Sequence, residues 1–148
     1  MLTHAPLPSW AAIGRALLSR SPPSTLPTAP WSREGDTGGW LARTAWSMAI
    51  VALWRQHHSG KQTISVWIPA YFCNESLNAL RRSGVRLVFY PVTDDLTPDL
   101  RACKELAISG SPDVFLCVHY FGRPIPASAV RDFCANHKAW FIEDAAHV

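Results

Sequence analysis

From residue 63 onward, short runs of β-branched and aromatic residues alternate with stretches whose apolar side chains recur at helical spacing. Thr63 to Ile68, Arg86 to Tyr90, Val114 to His119 and Ala139 to Glu143 are apolar along most of their length, as expected of strands covered on both faces. Trp40 to His58 places Leu41, Ala45, Met48, Ala49, Ala52 and Leu53 at helical intervals and is apolar on most sides, which predicts a largely buried helix ended by Gly60. A second helix is expected from Asn74 as N-cap through Leu77 and Leu80 to a stop at Gly84. A third takes Thr97 as cap and Pro98 at its first position, followed by Leu100, Cys103 and Ala107. The last begins near Pro126 and aligns Val130, Phe133, Cys134 and His137 on one face. Strand and helix alternating in this way predict an α/β fold with a mainly parallel sheet, flanking helices and right-handed crossovers.

Residues 1–39 break this pattern. They form a Pro-rich stretch with Ser21-Pro22-Pro23-Ser24 and Gly35-Asp36-Thr37-Gly38-Gly39 as breakers, and only Trp10 to Ser19 reads as a short helix. The expected organisation is therefore an irregular arm, 1–39, and an α/β body, 40–148. With 148 residues, 48% hydrophobic and 17% charged, the chain has the balance of one globular domain. Its net charge of +3 is scattered rather than striped, so the sequence offers no electrostatic footprint for nucleic acid. The longest apolar stretch, Ala45 to Trp54, is too short to cross a bilayer. Cys73, Cys103, Cys117 and Cys134 are widely spaced and form no CxxC pair, which favours reduced thiols and a cytoplasmic protein. Cys134 with His137, and His57 with His58, fall short of a four-ligand set, so no metal site is expected.

The sharpest candidate for chemistry is the end of the last strand. Trp140-Phe141-Ile142 leads into Glu143-Asp144-Ala145-Ala146-His147, bringing an acid and an imidazole to a strand's carboxyl end. In open parallel sheets ligands bind along that edge. As a structural residue, Asp144 would cap a helix or close a strand-end turn, and His147 would be an ordinary surface histidine. His119, at the end of the third strand, is expected to be satisfied by neighbouring backbone.

Four segments in order carry a resemblance. Ile68-Pro69-Ala70-Tyr71, Gly84-Val85-Arg86 leading to Phe89-Tyr90-Pro91-Val92, Val118-His119-Tyr120-Phe121-Gly122-Arg123-Pro124 and Ile142-Glu143-Asp144-Ala145-Ala146-His147 resemble the DegT/DnrJ/StrS family of sugar aminotransferases over about residues 36–148. The resemblance implies the N-terminal half of a fold type I large domain, the fold of aspartate aminotransferase. It also implies pyridoxal 5'-phosphate (PLP) as cofactor and transfer of an amino group to a keto-sugar, often nucleotide-linked, in amino-sugar, polysaccharide or antibiotic biosynthesis. By the same resemblance Asp144 faces the pyridine nitrogen and His147 the phenolic oxygen. Arg43 and Thr44, beside Ala42 and Ala45, meet the phosphate at a helix N-terminus.

This chain departs from the family at several places. Ala42 replaces a glycine of the phosphate loop, and Cys73 takes the place of the ring-stacking aromatic, with Tyr71 and Phe72 beside it. The family's Schiff-base lysine lies downstream of the Glu-Asp-Ala-Ala motif, and Lys61, Lys104 and Lys138 all precede it. The expectation is a large domain truncated before that lysine, with no complete catalytic set and no turnover by this polypeptide alone. A complementing C-terminal chain or a homodimer would then supply the remainder. Two alternatives stand beside this reading: a non-catalytic α/β binding or assembly module, and a nucleotide- or phosphate-binding domain in which Asp94, Asp95 and Asp144 form an acidic pocket for a divalent cation.

Overall fold

In a computed structural model, residues 9–11, 14, 18 and 41–147 are described. Trp10, Ala11, Gly14 and Leu18 are helical, and the rest of the expected helix from Trp10 to Ser19 lies outside the described residues. The body contains α1 (Thr44–Ser59), β1 (Ser65–Pro69), a 3₁₀ turn (Asn74–Leu77), α2 (Asn78–Arg82) and β2 (Arg86–Tyr90). It continues with α3 (Leu100–Ile108), β3 (Val114–Val118), α4 (Ser128–Asn136) and β4 (Trp140–Asp144).

All four strands are parallel, in the order β2-β1-β3-β4. The pleat explains why each strand reads as continuously apolar. Val66, Ile68, Val114, Leu116 and Val118 point to one face, where Met48, Ala49, Ala52, Leu77 and Leu80 of the first helices cover them. Trp67, Tyr90 and Phe115 point to the other, against Cys103 of α3 and Val130, Phe133 and Cys134 of α4. At the amino-terminal edge the buried Asp113 accepts from the Ser65 N–H at 2.9 Å and pairs with Lys61.

Three expectations about helices need correction. Asn74 caps nothing: its Oδ1 accepts from Arg81 Nη2 at 2.6 Å, and the segment opens as a 3₁₀ turn before α2. The cap of α3 is Asp99 rather than Thr97. The Asp99 Oδ1 accepts from the N–H groups of Arg101 and Ala102 at 3.0 and 3.1 Å, whereas Thr97 is engaged by Thr93, Oγ1 to Oγ1, at 2.8 Å. Pro98 sits before that cap, in an antiparallel bridge with Val92. Finally, α1 is not largely buried. Its inner stripe meets the sheet, but Trp46, Ile50, Leu53 and Trp54 form a second apolar stripe, between 47 and 62% exposed.

Candidate functional site

The strand order reverses direction beside β1, because the chain leaves β1 for β2 on one side and later enters β3 on the other. The helical segments that follow β1 and β3 therefore lie on opposite faces of the sheet, and a crevice opens at the carboxyl edge beside them. The start of α1 and the end of β4 complete the wall. Thr44, Phe72, Cys73, Tyr120, Asp144 and His147 line the resulting cavity, of about 140 Å³.

Asp144 reaches it through the pleat. It pairs with Val118 in register and falls on the same face as Trp140 and Ile142, the face covered by α1. Its Oδ1 accepts from the Ala146 N–H at 3.0 Å, closing a strand-end turn, while its carbonyl accepts from the His119 N–H at 3.0 Å. Asp144 also borders a second cavity, of about 300 Å³, together with Thr44, Met48 and Ile142. Asp144 thus closes a strand-end turn and still lines two cavities.

Thr44 begins α1, whose preceding residue, Arg43, is extended and provides no side-chain cap. The Trp46 N–H turns back to the Arg43 carbonyl at 3.0 Å, the Arg43 side chain caps neither the Thr44 nor the Ala45 N–H, and the helix dipole favours an anion there. Thr44 lines both cavities, whereas Arg43 faces a neighbouring groove with Glu75, Ser76 and Arg82. Of the four expected site residues, Thr44, Asp144 and His147 meet in one cavity and Arg43 stands outside it. His147 stacks on Phe121 with ring centroids 5.9 Å apart.

The loop after β3 is firmly tied. The Tyr120 hydroxyl donates to the Tyr71 carbonyl, and the two rings meet edge-on at 5.5 Å. Burial holds the Tyr120 phenol above its ordinary range. His119 is buried and engaged at both ring nitrogens: Nδ1 accepts from the Ile125 N–H at 3.0 Å, and Nε2 lies 3.3 Å from Glu143 Oε1. The expectation of a satisfied histidine agrees with this geometry.

The cysteines divide by burial. Desolvation pushes the thiols of Cys103 and Cys134 up to about 12 and that of Cys117 up to about 11. Cys73 is exposed, and its thiol is held below the ordinary value by hydrogen bonds from the Ser76 backbone, the Ser76 hydroxyl and the Glu75 backbone. Sequence reasoning gave no site role to Met48, read there only as one of the apolar positions of a helix, or to Ser76, although both line the cavity. Asp94 and Asp95 line a different cavity with Phe121 and Arg123, so the structure does not bring them to Asp144. Among the described residues no group of three or more His, Cys, Asp or Glu is placed to hold a metal ion. Nor is any described helix long and apolar enough to cross a membrane.

An open parallel sheet with an acid at a strand's carboxyl end, facing an uncapped helix N-terminus across a switch-point crevice, is the architecture of the fold type I PLP-dependent enzymes. The model of the DegT/DnrJ/EryC1/StrS aminotransferase family matches residues 49–148, and the chain belongs to that family. Among solved structures, DesV of S. venezuelae is 27% identical, with a TM-score of 0.52 over 66% of this chain and 27% of its own. PseC of Helicobacter pylori, an aminotransferase involved in the biosynthesis of pseudoaminic acid, is 22% identical, with a TM-score of 0.55 over 68% and 27%. An E. coli GDP-4-keto-6-deoxy-D-mannose-3-dehydratase with bound hydrated PLP is 17% identical, with a TM-score of 0.52 over 68% and 27%. The chain thus spans about a quarter of the length of these relatives. No curated protein sequence matches it.

The residues present fit PLP. A carboxylate suited to a pyridinium nitrogen and an uncapped helix N-terminus suited to a phosphate open into the same cavity, with an aromatic wall between the two loops.

Proposed function

We propose that this chain supplies the nitrogen-facing and phosphate-facing part of a PLP site in an aminotransferase acting on keto-sugars, including nucleotide-linked ones, in the cytoplasm. The observation that carries this reading is the convergence of Asp144, Thr44 and His147 on one cavity at the switch point. PLP, when bound, supplies an electron sink for a carbanion next to a carbonyl-derived carbon. Asp144 would keep a proton on the pyridine nitrogen, as an anion favours the charged form of a nearby base. Thr44 and the backbone N–H groups of Thr44 and Ala45 would hold the phosphate, and Arg43, one groove away, would add a positive field without direct contact. The imidazole of His147, held against Phe121, would donate to the ring's phenolic oxygen. The unpaired thiols of this chain fit a reducing compartment.

We further propose that these 148 residues alone do not turn over substrate. Lys61 is paired with Asp113 at the amino-terminal edge of the sheet, and neither Lys104 nor Lys138 lines a cavity with Asp144. The Schiff-base amine would come from outside these 148 residues. Mixing the chain with the lysine-bearing C-terminal part of a family member, with PLP and an amino donor, tests this reading. Amino transfer in the mixture and in neither part alone supports it, and transfer by the chain by itself contradicts it. The outward apolar stripe on α1 favours a second reading, an assembly module that docks on a full-length relative. Retained docking with no amino transfer in any mixture would favour that module.

A further inference from the structure

The turn Tyr120-Phe121-Gly122-Arg123 reverses the chain at the mouth of the cavity, with the Arg123 N–H donating to the Tyr120 carbonyl at 2.9 Å. Phe121 sits at φ 52 and Gly122 at φ 74, the pair of positive angles that defines a type I′ turn. An aromatic residue is strained there, and strain of this kind persists only where the surroundings hold it. The Phe121 ring is also what His147 stacks on, at 5.9 Å.

One residue clasps both sides of this turn. The His119 backbone N–H reaches the Asp144 carbonyl at 3.0 Å, tying the loop's start to the end of β4. The same residue's Nδ1 receives the Ile125 N–H at 3.0 Å, tying the loop's exit. A backbone N–H only donates, so Nδ1 carries no proton and the ring proton sits on Nε2, aimed at Glu143 Oε1. Glu143 is shared, because its Oε2 receives Arg131 Nη2 from α4 at 2.6 Å. The ring therefore faces Glu143 of β4, whose carboxylate also meets Arg131 of α4 and lies beside the buried Cys117 of β3. Adding a proton to Nδ1 would set one N–H against another and release Ile125.

We infer that His119 is a positioning residue: in its Nε2–H form it latches the 119–125 loop to the end of β4 and so holds Phe121 and His147 at the cavity. The latch is a property of this chain's own geometry, and its consequence for ligand binding rests on the reading of the cavity as a PLP pocket.

The experiment is nuclear magnetic resonance on the full ¹⁵N-labelled chain. At about pH 7.5 the His119 ring shifts are those of the Nε2–H tautomer, and Ile125 is protected from amide exchange; an Nδ1–H tautomer overturns the inference. His119→Gln, whose amide extends toward the Nε2 position, loses about tenfold of the Ile125 protection, a hydrogen bond's worth. His119→Asn, whose oxygen lies near the Nδ1 position, restores most of it. Equal protection in wild type and His119→Gln, or an equal loss in both variants, overturns the latch. Added PLP separates the two readings. No PLP-induced shifts at Asp144 or His147 in wild type count against the PLP pocket while the tautomer and exchange results still decide the latch. Equal shifts in wild type and His119→Gln count against the latch alone.

Discussion

At the scale of single residues, what a side chain does here is decided by its partners more than by its type. Thr97 and Asp99 are both acceptable helix caps in sequence, and only the Thr93–Thr97 contact and the extended backbone of Asp99 separate them. Asp99→Ala should destabilise the chain by about 0.5–2 kcal/mol, and Thr97→Ala by less than about 0.5 kcal/mol, in urea unfolding. The four cysteines offer a second check. Cys73 is exposed and its thiol is lowered by the Ser76 and Glu75 hydrogen bonds, whereas desolvation raises the other three. Iodoacetamide should therefore label one thiol in the native chain and four in denaturant, and Cys73→Ser should abolish native labelling. That labelling should persist to lower pH than in a free cysteine, since more thiolate remains at each pH. Asp144 was readable as a candidate from its place at a strand end; its double duty, closing a turn and facing two cavities, was not.

At the scale of elements, the strands were the most legible part of the chain. β1 and β3 are buried at every position, so their apolar runs have no competing interpretation, while the edge strands β2 and β4 are only partly covered; the predicted boundaries of all four differ from the observed ones by two residues at most. Leu116, 1% exposed at the centre of β3, carries this packing; Leu116→Ala should cost about 2–5 kcal/mol in the same unfolding experiment. Helix α1 was harder, because periodicity reports which positions are apolar and not what covers them. Its inner stripe meets the sheet while Trp46, Ile50, Leu53 and Trp54 stay exposed. The sheet's faces also predict an alkaline limit. Burial raises the thiols of Cys103, Cys117 and Cys134 above the value of 9.0 expected when unfolded, so their contribution is complete below about pH 9. It is lost as pH rises through about 11 to 12, and thermal melts should show stability falling across that window.

At the scale of the whole molecule, strand order turns separate loops into a site. No local pattern predicts that the helical segments after β1 and β3 cover opposite faces, or that the start of α1 meets the end of β4 at the crevice, since both follow from the order β2-β1-β3-β4. The family resemblance groups Arg43, Thr44, Asp144 and His147; the last three line one cavity, and Arg43 lines a neighbouring groove. The central claim is that Asp144 and the uncapped end of α1 form a pocket for PLP in a chain whose own lysines lie elsewhere. Equilibrium dialysis of PLP against the wild-type chain and Asp144→Asn at neutral pH, followed by borohydride reduction and mass spectrometry, tests it most directly. The account predicts saturable binding of one PLP per chain, weakened about tenfold or more in Asp144→Asn, with no reduced adduct on Lys61, Lys104 or Lys138. Equal binding by both proteins, no saturable binding by either, or a stoichiometric lysine adduct would contradict it.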